Sequence, residues 1–405
     1  MWLATDGCPA HVRDIDTGER RFSTRQDLAG ITRIADALPE IGFMGVPVSA
    51  TDMPVSVRPL YETRAQLANT TKHIQNGTAI DAVNARGMAE MCRVVAGSSE
   101  ALRERASVSG FQGSISPLHW DEESLEAMRI YAEPGILVAL CSMPIGGATA
   151  SGTVVEMTTL GHAEVLSGIA ILKTMVPGAK VVYANYASTM DLYSGAVNLV
   201  WGADDLLIAP AQLGAHLDIP VHAGGYGSGA KLEGWQSGVQ DASAVFMIAL
   251  ALGDLVIGAG SMYGSGMCSL TSLLLHCELF DCLARWAEGS SFEDEDFGLD
   301  AIDEVGPGGH FLASKHTLEH REEFWQSKVH GPHHVGGVGR GRTGGAGCGC
   351  RGGGPAHPRG VRSRAAARGC GKKNWTASLT CSSTRRRRRA ARSVLKKCRN
   401  GTTTT

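Results

Sequence analysis

Two kinds of block alternate along this chain. Short runs that stay apolar, such as IGFM from Ile41, ILVALCS from Ile136, KVVYANY from Lys180 and DLVIGAG from Asp254, read as strands. Between them lie longer stretches with apolar residues at helical spacing. Residues 26–38 are one, with Leu28, Ile31, Ile34, Ala35 and Leu38 on a face and a cap at Ser23 or Thr24. Further helices are predicted over 58–67, from the Asp81 cap to Val95 with a stop at Gly97, over 100–104, and over 121–132 with Pro134-Gly135 after it. Strands are expected in TTKHIQNGTA, SVSGFQGSISPL and IPVHAGGYGSG. Residues 143–188 carry the fullest unit. A glycine loop leads into a long helix with Val154, Val155, Leu160, Val165, Leu166, Ile169 and Leu172 on a wide apolar face, and Pro177-Gly178 turns it into a strand. Helices at 206–217 (kinked or shifted by Pro210), 236–252, 270–286 and 294–305 complete the pattern. The first 28 residues show little of it beyond a strand end and a turn at Thr17-Gly18.

Strand and helix alternate about seven times, and strands apolar on both faces are the mark of a parallel sheet covered on both sides. The fold class predicted is α/β, a (β/α)8 TIM barrel over residues 1–329. A doubly wound sheet is the alternative, but no strand–turn–helix carries a dinucleotide fingerprint. AGGYGSGAK comes closest to a phosphate loop, yet Ala230 separates Gly229 from Lys231 and no Ser or Thr follows.

Composition changes this picture in one place. Of 40 acidic residues, none follows Glu323, whereas 18 of the 38 Lys and Arg lie after Val329. The body therefore carries a net charge of −20 and residues 330–405 carry +18. That tail is rich in Gly, Arg and Cys, without period, and reads as a disordered basic segment. Arg385 to Arg389 would suit nucleic acid, but the composition fits out-of-frame text better, so its cysteines are not read as metal ligands. No apolar run reaches the roughly 18 residues of a membrane span, since Asp254 interrupts the longest. With no basic, apolar leader and no paired cysteine framework, a reducing, cytoplasmic setting is expected. Cys268, His276, Cys277 and Cys282 have the wrong spacing for a zinc site and read as helix packing.

Several segments in order resemble one family. They are RDIDTGERR with TRQDLAGITRIADALPEI, NTTKH, SISPLHWDEESLEAM, SMPIGGATA with AEVLSGI, PGAKVVYA, PVHAGG, and GLDAIDEVGPGGHFLASKHTLEHREEFW. From about Val12 to Trp325 the chain is similar to the trimethylamine methyltransferase superfamily, the corrinoid-protein Co-methyltransferases. The resemblance implies a TIM barrel that moves a methyl group from a methylated amine to the cobalt of a cognate corrinoid protein. Cobalamin would then come with that partner, with none bound tightly here. It also implies an N-terminal helical region ahead of the match, so the chain is expected to be truncated there. The family's trimethylamine enzyme carries pyrrolysine. This chain has only the ordinary twenty residues and resembles the branch that acts on quaternary amines such as glycine betaine.

Such a transfer needs orientation and exclusion of water more than an acid or base, and no catalytic residue is singled out. A trimethylammonium group is held by aromatic faces and carboxylates. Candidates at predicted strand exits are Tyr183, Tyr186, Tyr226, Tyr263 and Trp235, with the polar Asp52, His73, Gln75, Asn185, His222, Lys231 and Gln236. Each is also a plausible packing residue. Gly146, Gly147 and Gly225 would let substrate or corrinoid approach the backbone closely, or merely turn the chain. Competing readings are a barrel that only binds quaternary amines, or nucleic acid through its tail, and a lyase using Lys231 as a Schiff base. A homo-oligomer stays open.

Overall fold

The computed structural model describes residues 1–5, 7–198 and 204–329. The tail expected at 330–405 lies outside the described residues. Eight parallel strands close into a barrel in chain order: β1 (Trp2–Thr5), β2 (Ile41–Met44), β3 (His73–Gln75), β4 (Val108–Gly113), β5 (Leu137–Ser142), β6 (Val181–Asn185), β7 (Val221–Ala223) and β8 (Leu255–Ala259). Their helices are α1 (Arg25–Ala37), α2 (Arg58–Asn69), α3 (Ala82–Ala96), α4 (Glu122–Ala132), α5 (Val154–Met175), α6 (Asp204–Leu217), α7 (Trp235–Leu250) and α8 (Leu270–Glu288). The barrel is the (β/α)8 architecture that the alternation predicted.

The strand that sequence missed is β1. Its four residues sit in the pattern-poor opening, but Leu3 and Ala4 are fully buried. It pairs with β8 through Trp2 opposite Leu255 and with β2 through Leu3 opposite Ile41, and so closes the cylinder. The caps follow the sequence. Thr24 and Asp27 form a capping box on α1, and Asp81 and Asp121 accept the Asn84 and Ser124 amides. The single helix expected at 294–305 is broken at Gly298, whose φ of 58° lies in the left-handed region. On α5 the buried stripe runs through Met157, Gly161, Glu164, Val165, Gly168 and Leu172, while Val155 faces solvent.

Apolar side chains form two layers. The larger lies between strands and helices; a smaller cluster of Ala4, Phe43, Ala139, Val182, Leu255 and Ile257 fills the barrel interior. Two small sheets tie the loops at the C-terminal rim. Ile145–Gly146, Ser188–Met190 and Val197–Asn198 join the loops after β5 and β6. His11–Arg13, Arg20–Phe22, Ser261–Met262 and Met267–Cys268 join those after β1 and β8. No described helix is long and apolar enough to cross a membrane.

Candidate active site

A cavity of about 570 Å³ opens at the C-terminal rim. All eight strands or the loops after them line it, through Cys8, Val46, Gln75, Phe111, Met143, Tyr186, Gly225 and Ile257 in chain order. This is the end of the barrel where loops rather than strands set the chemistry.

Below the cavity, inside the barrel, sits His222. It is fully buried, with the rings of Tyr186, Phe43 and Phe111 around it at 5.9, 6.0 and 6.1 Å. Its Nδ1 shares a hydrogen bond with the Tyr186 hydroxyl, and its Nε2 has no partner among the described residues. Burial pushes its pKa down to about 3, so it is neutral at physiological pH and orients Tyr186 rather than carrying charge.

The charged groups come from α2. Glu62 is almost fully buried. Its Oε1 accepts hydrogen bonds from Ser49 Oγ at 2.9 Å and the Ala50 amide at 2.8 Å. Its Oε2 accepts none among the described residues and faces Gly77 across the cavity wall. Burial raises its pKa, and the Ala50 and Ser49 hydrogen bonds and the Arg58 charge restrain the rise. Arg58 lines the same cavity one turn earlier. Its Nε and Nη2 both donate to the Met53 carbonyl, and among the described residues it forms no ion pair. An apolar, aromatic cavity with a carboxylate in its wall can hold an organic cation.

The loop after β7 is braced from behind. Tyr226 stacks on His276 with centroids 4.0 Å apart and donates its hydroxyl to the His276 carbonyl at 2.9 Å. His276 Nδ1 accepts the Gly260 amide, so its proton sits on Nε2 and points at Asp241 Oδ2, 3.2 Å away. Asp241 also accepts the Gly227 and Ser228 amides.

A sequence model for trimethylamine methyltransferase (MTTB) matches residues 1–336. The chain belongs to this family. A glycine betaine methyltransferase from Desulfitobacterium hafniense (strain Y51) is 28% identical over 312 residues, 76% of this chain and 65% of that protein. A trimethylamine methyltransferase from the same species (strain DSM 10664 / DCB-2) is 28% identical over 321 residues, 78% of this chain and 64% of that protein. The crystal structure of Methanosarcina barkeri monomethylamine methyltransferase aligns at 14% identity and a TM-score of 0.47, covering 74% of this chain and 62% of that one. This trimethylamine methyltransferase family member thus spans less than two thirds of the length of these relatives.

In this family member the rim gathers only some of the residues singled out from sequence. Gln75, Tyr186, Gly225 and Tyr226 line the cavity. Gly225 also lets β7 approach β8 closely, since a side chain there would meet Val256 at 2.6 Å. Tyr183 and Asn185 point the other way, into the helix layer. Tyr183 meets His162 Nδ1 at 3.1 Å, and Asn185 donates to the Thr158 carbonyl. His73 lies on the barrel floor, beside Ser109 Oγ at 3.0 Å, and burial pushes its pKa down to about 4. Tyr263 sits outside the cavity wall with the Arg20 guanidinium and the Lys231 ammonium both over its ring, so its face is already engaged by cations of this chain. Trp235 is exposed at the start of α7, Gln236 bonds Gln240, and Asp52 accepts the Arg25 amide. Gly146 packs against Met157, and Gly147 turns the loop at φ 88°. Cys268 and Cys277 are buried thiols whose pKa burial pushes up to about 12. Glu62, Arg58 and Phe111 were not anticipated. The available signal was the inward stripe Pro59, Glu62, Thr63 and Gln66 on α2, polar where a packing helix should be apolar.

Proposed function

We propose that this cavity binds a methylated quaternary amine and that one of its methyl groups passes to the reduced corrinoid of a separate corrinoid protein. The corrinoid is a co-substrate in this reading, not a resident cofactor. The observation that carries it is Glu62, a buried carboxylate with a free oxygen in a cavity whose aromatic lining comes from Phe111 and Tyr186. Such a wall suits an ammonium ion that has no N–H to donate. A relative named for glycine betaine methyl transfer supports the same choice. The mouth fits a broad, flat acceptor, because Val55, Ile80 and Met143 border the cavity while remaining exposed.

The transfer is a displacement at carbon. The carbon–nitrogen bond breaks, its electron pair stays on nitrogen, and the amine leaves neutral; the new carbon–cobalt bond forms with the electron pair of cobalt(I). A quaternary nitrogen needs no proton to leave, so the protein's work is positional. Glu62 and the aromatic faces of Phe111 and Tyr186 hold the ammonium, His222 fixes the Tyr186 ring, and the Asp241–His276 pair, with Tyr226 stacked on His276, fixes the loop after β7. The apolar wall keeps water from the reacting carbon.

The test is direct. The purified full chain is mixed with free cob(I)alamin and a set of quaternary amines, and methylcobalamin is followed by its absorbance. Methylcobalamin that depends on enzyme and amine is the expected result; none from any amine overturns the proposal.

A further inference from the structure

Arg58 and Glu62 are four residues apart on α2, which places their Cα atoms about 6 Å apart along the helix axis and on the same face. Both line the cavity, and they form no ion pair with each other. Glu62 directs one oxygen into the wall and leaves the other free. Arg58 spends two donors on the Met53 carbonyl and has no carboxylate within pairing distance among the described residues, while its charge acts on Glu62 from farther away. The rest of the wall is dominated by apolar and aromatic groups and backbone, with Gln75 and Asn76 as its neutral amides.

We infer that Arg58 is a specificity-determining residue, which selects amines bearing their own carboxylate and rejects simple alkylammonium ions. This rests on the reading of Glu62 as the ammonium's counter-charge. A lone cation drawn to Glu62 is repelled by Arg58 across a low-dielectric space, so what one group gains the other removes. A zwitterion meets both. Its carboxylate faces the guanidinium while its ammonium faces Glu62.

The experiment is calorimetric titration of the full chain with 4-(trimethylammonio)butanoate, glycine betaine, choline and tetramethylammonium. The wild-type chain is expected to bind the butanoate at least about tenfold more tightly than tetramethylammonium. In Arg58→Met that ratio falls to within about twofold, because the lone cation gains while the zwitterion loses. Arg58→Lys keeps a preference of the wild-type sign, which separates charge from local folding, and thermal melts confirm that each variant is folded. A preference unchanged in Arg58→Met overturns the inference, as does tetramethylammonium binding as tightly as the butanoate to wild type; both leave the proposed function standing. Failure of all four ligands to bind wild type overturns the ammonium site itself.

Discussion

Glu62 is held where burial works against its charge, and the cost and the use of that placement are separable by mutation. Its pKa is raised in the folded chain above the ordinary value of 4.5, chiefly by desolvation. Between those two values the native state binds a proton that the unfolded chain has lost. Stability at this residue therefore falls as pH rises through that window, and the ionised form at neutral pH is a net burden. Glutamine keeps an oxygen for Ser49 and the Ala50 amide and removes the charge. Glu62→Gln is thus expected to melt no lower than wild type at pH 7 while binding of tetramethylammonium or a betaine weakens at least about tenfold. Calorimetric titration beside thermal melts reads both. A variant that loses several degrees but keeps its affinity would make Glu62 a structural acceptor only. Sequence reading passed over this residue because Glu62 lies among Arg58 and Tyr61 in a stretch that reads as an ordinary surface helix, and the polar inward stripe it belongs to is recognised only once the buried face is known.

At the scale of elements, β7 and β8 show how closely the rim is built. The Tyr226 amide donates to the Ile257 carbonyl at 3.0 Å, and Gly258 follows with φ 94°. A Cβ on Gly258 would lie 2.4 Å from the Tyr226 carbonyl oxygen, backbone that cannot move aside. Gly258→Ala therefore meets both a left-handed conformation and a clash, and should cost about 2–4 kcal/mol in urea unfolding. A wild-type midpoint would mean that the β7 loop yields freely. The strands themselves were legible because they are apolar throughout, and that same property hid their orientation. In β6 both faces are buried, so period-two alternation is absent and nothing in VVYANY tells which side Tyr183, Asn185 or Tyr186 takes. The structure sends Tyr186 to the cavity and the other two to the helices. β1 stayed hidden for a different reason. Four residues are too few to show a period, and only closure against β8 and β2 identifies them.

For the molecule as a whole, the barrel interior carries two histidines that the folded chain keeps neutral. His73 and His222 have pKa values pushed by burial to about 4 and about 3, against an ordinary 6.5. In the unfolded chain both take protons as pH falls below 6.5; in the barrel neither does until far lower. Their contribution is complete above that value and is lost as pH falls towards 4 and then 3. The net charge of −20 on residues 1–329 pulls in the opposite sense, because its self-repulsion eases on acidification. Carboxylates, however, titrate mostly below about pH 5, whereas the two histidines begin near 6.5, so the histidines govern the first part of the descent. Urea unfolding between pH 7 and 5 should therefore show stability falling on acidification, approaching a slope of about 1.4 kcal/mol per pH unit for each histidine. His222→Phe places an aromatic ring between Phe43 and Phe111 and removes one of the two histidines of the barrel interior. Its absolute stability also reflects the Tyr186 hydroxyl left behind, so the informative quantity is the slope, which should fall. A slope equal to that of wild type would place the acid sensitivity outside the barrel, in the surface charge instead.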